Sequence, residues 1–280
     1  MRRGASTAAG VAPRLRGVVF DMDGTLTVPN LDFGEMYRRA GVAKGDDILS
    51  ARWRADPKAS AVVEEMEEEG RQSLRLMPGA GELATWLHAH SVPMALVTRN
   101  SARTLVHFHE YVWPRGLPPL APAISRDDEY AAKPDPAALL AIAEQWGVPL
   151  GPELLMVGDS PSNDVAFGKA AGIRTALLDT GRQHVEGGRT GDPDMCVCNL
   201  AALARELWAT YDVVSPLCAP ELHAKKQVPT PGTAAAAAAA ANDASSLRGL
   251  PAAELSTACL SGNTPLIFAA DAGHLPAVEV

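Results

Sequence analysis

Cysteine is scarce: Cys196, Cys198, Cys218 and Cys259 are the four in 280 residues, and none forms a C-x-x-C pair. A disulfide framework belongs to short cysteine-dense chains and a cysteine zinc site to closely paired thiols, so neither is supported. A reducing compartment is expected. Long apolar runs are missing too. The tract Ala234 to Ala241 is far shorter than the roughly 18 to 20 apolar residues that a membrane helix needs. Basic residues are in deficit, 25 against 33 acidic ones for a net charge of -8, so there is no electrostatic footprint for nucleic acid or an anionic membrane. Twenty-four glycines and 22 prolines fall short of the roughly 25 to 30% expected of a low-complexity chain, which excludes wholesale disorder. What remains is a globular chain long enough for about two modules, with a small molecule or a protein as partner.

The first sixteen residues carry Arg2, Arg3, Arg14 and Arg16 and no acid. They are assigned as a flexible N-terminus of a soluble, cytoplasmic protein, with a chloroplast or mitochondrial leader as the alternative. From Gly17 the text changes. Val18 to Phe20 is a short apolar run that empties into Asp21-Met22-Asp23-Gly24, as a buried strand empties into a polar turn. The pattern recurs at Pro93 to Val97 before Thr98-Arg99-Asn100, at Leu154 to Val157 before Gly158-Asp159-Ser160, and at Arg174 to Leu178 before Asp179. Helical periodicity fills the intervals at Gly81 to His90, Ala102 to Tyr111, Pro136 to Trp146 and Asp164 to Ala171. Strand–helix alternation predicts an α/β fold, a Rossmann-like parallel sheet with helices on both faces and its ligand crevice at the strands' carboxyl ends.

Residues 31–77 interrupt the alternation with helical patterns only. Phe33, Met36, Tyr37 and Ala40 mark one face, and Ala59 to Leu76 supplies a second, acid-rich helix. This reads as a small α-helical cap inserted over the crevice of a core spanning residues 17–211. Residues 212–246 read as a linker. A further α-helical segment, 247–280, contains Gly262-Asn263-Thr264-Pro265-Leu266-Ile267-Phe268-Ala269-Ala270 and Gly273-His274, which resembles part of an ankyrin repeat.

The strand ends carry the chemistry. Asp21 and Asp23 point to the same side of an extended segment, so one can attack while the other handles a proton. Asp159 and Asp164 add carboxylates from the third strand end. Such groups raise one another's pKa unless a cation neutralises them, and an all-oxygen set selects a hard ion such as Mg²⁺. Thr98 and Asn100 suit anionic oxygens, Lys133 supplies a mobile positive charge, and amides of the turn at Gly24 and Thr25 can cradle the same anion. Donors, a cation and a carboxylate nucleophile together describe phosphoryl transfer.

Asp21-Met22-Asp23-Gly24-Thr25-Leu26, Leu96-Val97-Thr98-Arg99-Asn100, Lys133-Pro134-Asp135-Pro136 and Val157-Gly158-Asp159-Ser160-Pro161-Ser162-Asn163-Asp164 resemble, in order, the four motifs of the haloacid dehalogenase-like hydrolase superfamily. The cap's position resembles the phosphoglycolate-phosphatase-like group. The resemblance implies an aspartyl-phosphate on Asp21, with Asp23 as acid and then base, and Thr98 and Lys133 on the phosphoryl oxygens. It places Mg²⁺ on a carboxylate oxygen of Asp21, the backbone carbonyl of Asp23 and a carboxylate oxygen of Asp159, with Asp164 supporting the ion or Lys133. An acid two residues after the nucleophile implies a phosphatase or phosphomutase rather than a dehalogenase.

The expected activity is Mg²⁺-dependent hydrolysis of a small phosphorylated metabolite. The alternatives are a β-phosphoglucomutase-like sugar phosphomutase, which the small cap disfavours, and a tail that tethers the enzyme to a protein. Ser160 and Asn163 either touch the ligand or shape their turn. Arg38, Arg39, Arg52 and Arg54 are the cap's candidates for substrate contact. His107 and His109 point to different sides of one helix and are expected to pack. Cys196 and Cys198 on an edge strand, Met195 to Asn199, are expected to face the core, and Glu64, Glu65, Glu67, Glu68 and Glu69 to form a solvated helix face.

Overall fold

A computed structural model describes residues 12–213, apart from 44 and 189. Six strands, β1 (Gly17–Phe20), β2 (Met94–Val97), β3 (Ala123–Ile124), β4 (Leu154–Gly158), β5 (Arg174–Leu178) and β6 (Met195–Val197), form one sheet in the order β3-β2-β1-β4-β5-β6. Every pairing is parallel. Among the described residues nine α-helices accompany them: α1 (Phe33–Ala40), α2 (Ala51–Arg54), α3 (Pro57–Gln72), α4 (Ala80–Ala89), α5 (Ala102–His107), α6 (Ala137–Trp146), α7 (Ala166–Ala170), α8 (Gln183–Glu186) and α9 (Leu200–Thr210).

Period-two alternation divides the central strands between two cores. Val18 and Phe20 of β1, Met94 and Leu96 of β2, and Leu155 and Val157 of β4 pack with α4 and α9. Val19, Ala95, Leu154 and Met156 pack on the other side with Leu139 and Ile142 of α6 and Phe167 of α7. Both sheet faces are therefore covered, which is why these strands read as continuous apolar runs. Strand order reverses at β1, so the crevice opens where β1 meets β4.

Between β1 and β2, α1, α2 and α3 build a third, separate core from Met36, Ala40, Val42, Ile48, Ala59, Val62, Val63 and Met66. Asp32 caps α1 by accepting the Glu35 amide at 2.9 Å, and Asp56 caps α3 by accepting the Ala59 amide at 2.8 Å. Pro57 follows at the first position of α3, where a missing N–H costs nothing. The expected helix Ala59 to Leu76 is thus shifted toward its amino end, because Asp56-Pro57 is a stronger start signal than the first apolar residue. Phe33, placed on the inner face by its spacing, is 46% exposed, since the first turn of α1 extends past the small core.

Three further readings change. β3 was not expected; two residues are too short for periodicity to register. The helix expected through Tyr111 gives way to a π-helical turn at Phe108–Val112, and another π-helical turn, Pro161–Val165, precedes α7. On the edge strand β6 the register is the reverse of the expected one: Met195 and Val197 are buried while Cys196 and Cys198 are exposed. A one-residue difference in register exchanges the faces, and the larger side chains take the inside.

Residues 12–16, assigned to the flexible terminus, are tied to the body. Leu15 is buried, the Arg16 amide donates to Glu153 O at 2.8 Å, and the Asp212 amide donates to Pro13 O at 2.9 Å. No described helix is long and apolar enough to cross a membrane. The linker from 214 and the ankyrin-like stretch lie outside the described residues.

Candidate active site

β1 delivers Asp21 to the crevice, its amide donating to Val157 O of β4 at 2.9 Å. The chain then turns tightly: the amides of Thr25, Leu26 and Thr27 all converge on the Met22 carbonyl at 2.8–3.2 Å. Gly24 makes this turn with φ +79°, and a Cβ there would stand 2.1 Å from Asp159 Oδ2, so glycine is required for both the turn and the approach of β4's carboxylate. Thr25 is fully buried and its hydroxyl has no hydrogen-bond partner among the described residues.

Lys133 Nζ donates to Asp21 Oδ1 at 2.5 Å, Asp164 Oδ1 at 2.7 Å and Val97 O at 3.0 Å. The ammonium is therefore pinned, not the mobile charge expected from sequence; burial opposes its charge, but Asp164 and Asp21 together hold its pKa above the usual value. Asp164 in turn accepts the Ser160 amide through Oδ2 at 3.0 Å. Burial drives the Asp21 pKa well upward, with Asp164 and Asp159 adding to the rise and Lys133 opposing it. Asp159 is pushed up to about 6, first by burial and then by Asp164.

Carboxylate oxygens of Asp21, Asp159 and Asp164 lie within 4.8 Å of one another. Three acids this close, two with pKa values raised by burial and mutual repulsion, form a donor set that a divalent cation would neutralise. Their chemistry, all oxygen, fits a hard ion.

Asp23 sits to the side of this cluster. Its carboxylate accepts Asn100 Nδ2 at 2.7 Å and lies 3.1 Å from the Thr27 hydroxyl. Burial raises its pKa and these two hydrogen bonds counteract the rise. Thr98 Oγ1 accepts from the Asn100 backbone N–H and from Asn100 Nδ2, both at 3.1 Å, which leaves the hydroxyl proton available to donate. The Ser160 hydroxyl accepts the Asn163 amide at 3.3 Å, so capping the turn is what the structure shows it doing.

Sequence reasoning missed the seam between cap and core. Glu67 of α3, expected on a solvated face, is 6% exposed and accepts two hydrogen bonds from Arg126, one of them at 2.9 Å from Nη2, while the Ser101 hydroxyl donates at 3.2 Å. Its neighbours Glu64, Glu65 and Glu69 do face solvent. Arg126 follows the end of β3, so the strand-end rule would have found it had β3 been recognised. Arg99 bonds Asp47 at 2.5 Å, and Arg71 of α3 donates to Thr104 of α5 at 3.1 Å. Beneath this seam lie two cavities, of about 310 and 300 Å³. The second is lined by Thr98 and Lys133 as well as by the cap's Asp47, Leu49, Ser50 and Arg54.

Residues 46–172 match the family model described as haloacid dehalogenase-like hydrolase. A haloacid dehalogenase-like hydrolase domain-containing protein of Arabidopsis thaliana is 38% identical over 211 residues, covering 70% of this chain and 81% of the relative. A phosphoglycolate phosphatase of Pseudomonas fluorescens is 30% identical over 229 residues, covering 69% and 79%. Among solved structures, a hydrolase of the same description from Bacteroides fragilis superposes with a TM-score of 0.52 at 19% identity, over 68% of this chain and all of that one, a likeness of fold.

Proposed function

Because the chain belongs to the haloacid dehalogenase-like hydrolase family, we propose that it is a phosphatase whose crevice hydrolyses a small phosphomonoester through a covalent intermediate on Asp21. The observation that carries this reading is the placement of Asp21 at the end of β1, 2.5 Å from Lys133, with a second carboxylic acid, Asp23, two residues on and separately hydrogen-bonded. A Asp21 oxygen attacks phosphorus as the ester P–O bond breaks, and Asp23 gives its proton to the departing oxygen. Asp23 then takes a proton from water, which attacks phosphorus and releases inorganic phosphate from Asp21. The raised pKa of Asp23 suits the first role, since the group must arrive protonated. Lys133 opposes the burial that raises the Asp21 pKa, and the free Thr98 proton is placed to bond a phosphoryl oxygen.

Asp21, Asp159 and Asp164 would hold a Mg²⁺ ion, which supplies charge neutralisation of the carboxylates and of the phosphoryl oxygens. The Asp23 carbonyl is the fourth ligand the motif implies. Cap residues over the crevice exclude water from the first step. The relatives named phosphoglycolate phosphatase support a phosphorylated small acid as substrate. In Mg²⁺ buffer, Asp21→Asn is expected to abolish hydrolysis of p-nitrophenyl phosphate while leaving the fold intact by circular dichroism; wild-type turnover in that variant would refute the mechanism.

A further inference from the structure

The four cap arginines that the sequence leaves equivalent are not equivalent in the structure. Arg38 is committed to Glu35 by two hydrogen bonds, at 2.5 and 2.7 Å, along its own helix. Arg39 bonds Glu65 at 2.5 Å. Arg52 lies over the Trp53 ring, 4.9 Å from its centroid. Arg54, at the last position of α2, lines both cavities and has no carboxylate within ion-pair distance among the described residues.

The other cations of the two cavities are all spoken for. Lys133 holds Asp21 and Asp164, Arg99 holds Asp47, Arg126 holds Glu67, and Arg71 and Arg103 share Glu68. The cavity of about 300 Å³ is lined by Thr98 and Lys133 and by Arg54. That volume is roughly ten waters' worth, too large for a phosphoryl group alone. An unpaired guanidinium lining the same cavity as Thr98 and Lys133 is a site for a second anion.

We propose that Arg54 is a specificity-determining residue that binds a second anionic group of the substrate, a carboxylate or a second phosphate, apart from the phosphoryl group held at Asp21. The assignment rests on the phosphomonoesterase reading of the crevice and adds to it which side chain chooses among phosphomonoesters. Partnered arginines would have to give up a carboxylate to do the same, whereas Arg54 exchanges only water.

Three substrates on one two-carbon frame separate the sources: 2-phosphoglycolate, ethylene glycol bisphosphate and the neutral-tailed 2-hydroxyethyl phosphate. In the wild type, kcat/KM is expected to favour at least one of the two anionic tails over the neutral one by about tenfold or more. Arg54→Met should erase that preference, change p-nitrophenyl phosphate and 2-hydroxyethyl phosphate hydrolysis less than about twofold, and be partly rescued by Arg54→Lys. Arg38→Met is expected to change nothing. Calorimetry gives a readout independent of turnover: the anionic compound should bind Asp21→Asn about tenfold more tightly than Asp21→Asn/Arg54→Met. Equal binding, or a uniform loss across all three substrates, overturns the assignment of Arg54. A wild type inert toward p-nitrophenyl phosphate overturns the phosphatase reading instead, and the binding comparison still decides Arg54.

Discussion

Replacing Arg126 with Met strands the carboxylate of Glu67 between cap and core. The two side chains are 17% and 6% exposed, so little water can reach them, and Glu67 keeps only the Ser101 hydroxyl at 3.2 Å. Removing one member of a buried pair costs about 3–5 kcal/mol, and the partial exposure of Arg126 puts this pair near the lower figure, about 3 kcal/mol. For a body of this size each kcal/mol moves Tm by about 2–4 °C, so Arg126→Met should melt about 6–12 °C below the wild type. Glu67→Gln retains shape and one acceptor and should cost about half as much. The double replacement Glu67→Met/Arg126→Met, which leaves no charge behind, should recover most of the loss. Thermal melts and urea titrations of the wild type, Arg126→Met, Glu67→Met and the double replacement form the cycle. An Arg126→Met protein within about 1 °C of the wild type, or a double variant as unstable as the sum of the singles, would refute a buried, mutually dependent pair.

Gly24→Ala introduces a Cβ 2.1 Å from Asp159 Oδ2 at a φ of +79°; it should weaken Mg²⁺-dependent p-nitrophenyl phosphate hydrolysis by about tenfold or more, measured by a Mg²⁺ titration, at a strain cost of about 1–2 kcal/mol. Adding Mg²⁺ at about 100 times its dissociation constant should stabilise the protein by about 2.7 kcal/mol, seen as a Tm increase that EDTA reverses and that Asp159→Asn diminishes. Burial lowers the pKa of His109, whose Nε2 has no partner among the described residues. The unfolded chain therefore binds the proton more readily, so the stability tied to this group is present above about pH 6.5 and is lost as pH falls through the folded value. His109→Phe should accordingly lose less Tm than the wild type between pH 7.5 and 5, and parallel losses would show that burial of the ring does not matter.

The sequence discloses the central strands because they are covered on both sides and each ends in polar residues: Val18 to Phe20 before Asp21 and Leu154 to Val157 before Gly158 needed no partner to be recognised. Asp21, Asp23, Lys133, Asp159 and Asp164 were legible for the same reason, as carboxylates and an amine at strand ends or in motif spacing. Local pattern carries much less about contacts between distant segments. Glu67 stands in a run of acids and differs from Glu64 and Glu65 only by which side of α3 meets Arg126, 59 residues on. β3 is two residues long, and the inward choice of Met195 and Val197 over Cys196 and Cys198 depends on register against β5. Among the cap arginines, spacing offers Glu35 to Arg38 and Trp53 to Arg52 but says nothing of Glu65, 26 residues from Arg39, or of the cavities that Arg54 lines.

The hydrogen bond from the Asp212 amide to the Pro13 carbonyl brings the two ends of the described body together, beside the amino ends of β1 and β4 and away from the crevice at the carboxyl ends. Whatever is joined to this body, at either end, leaves it from one and the same place. A reporter fused before residue 12 and another fused after residue 213 would start side by side, close enough for energy transfer between them to register a loss of that contact, while the crevice at the opposite pole is left undisturbed. The same geometry makes the body a natural cassette: it can be set into a loop of a host protein through a narrow gap.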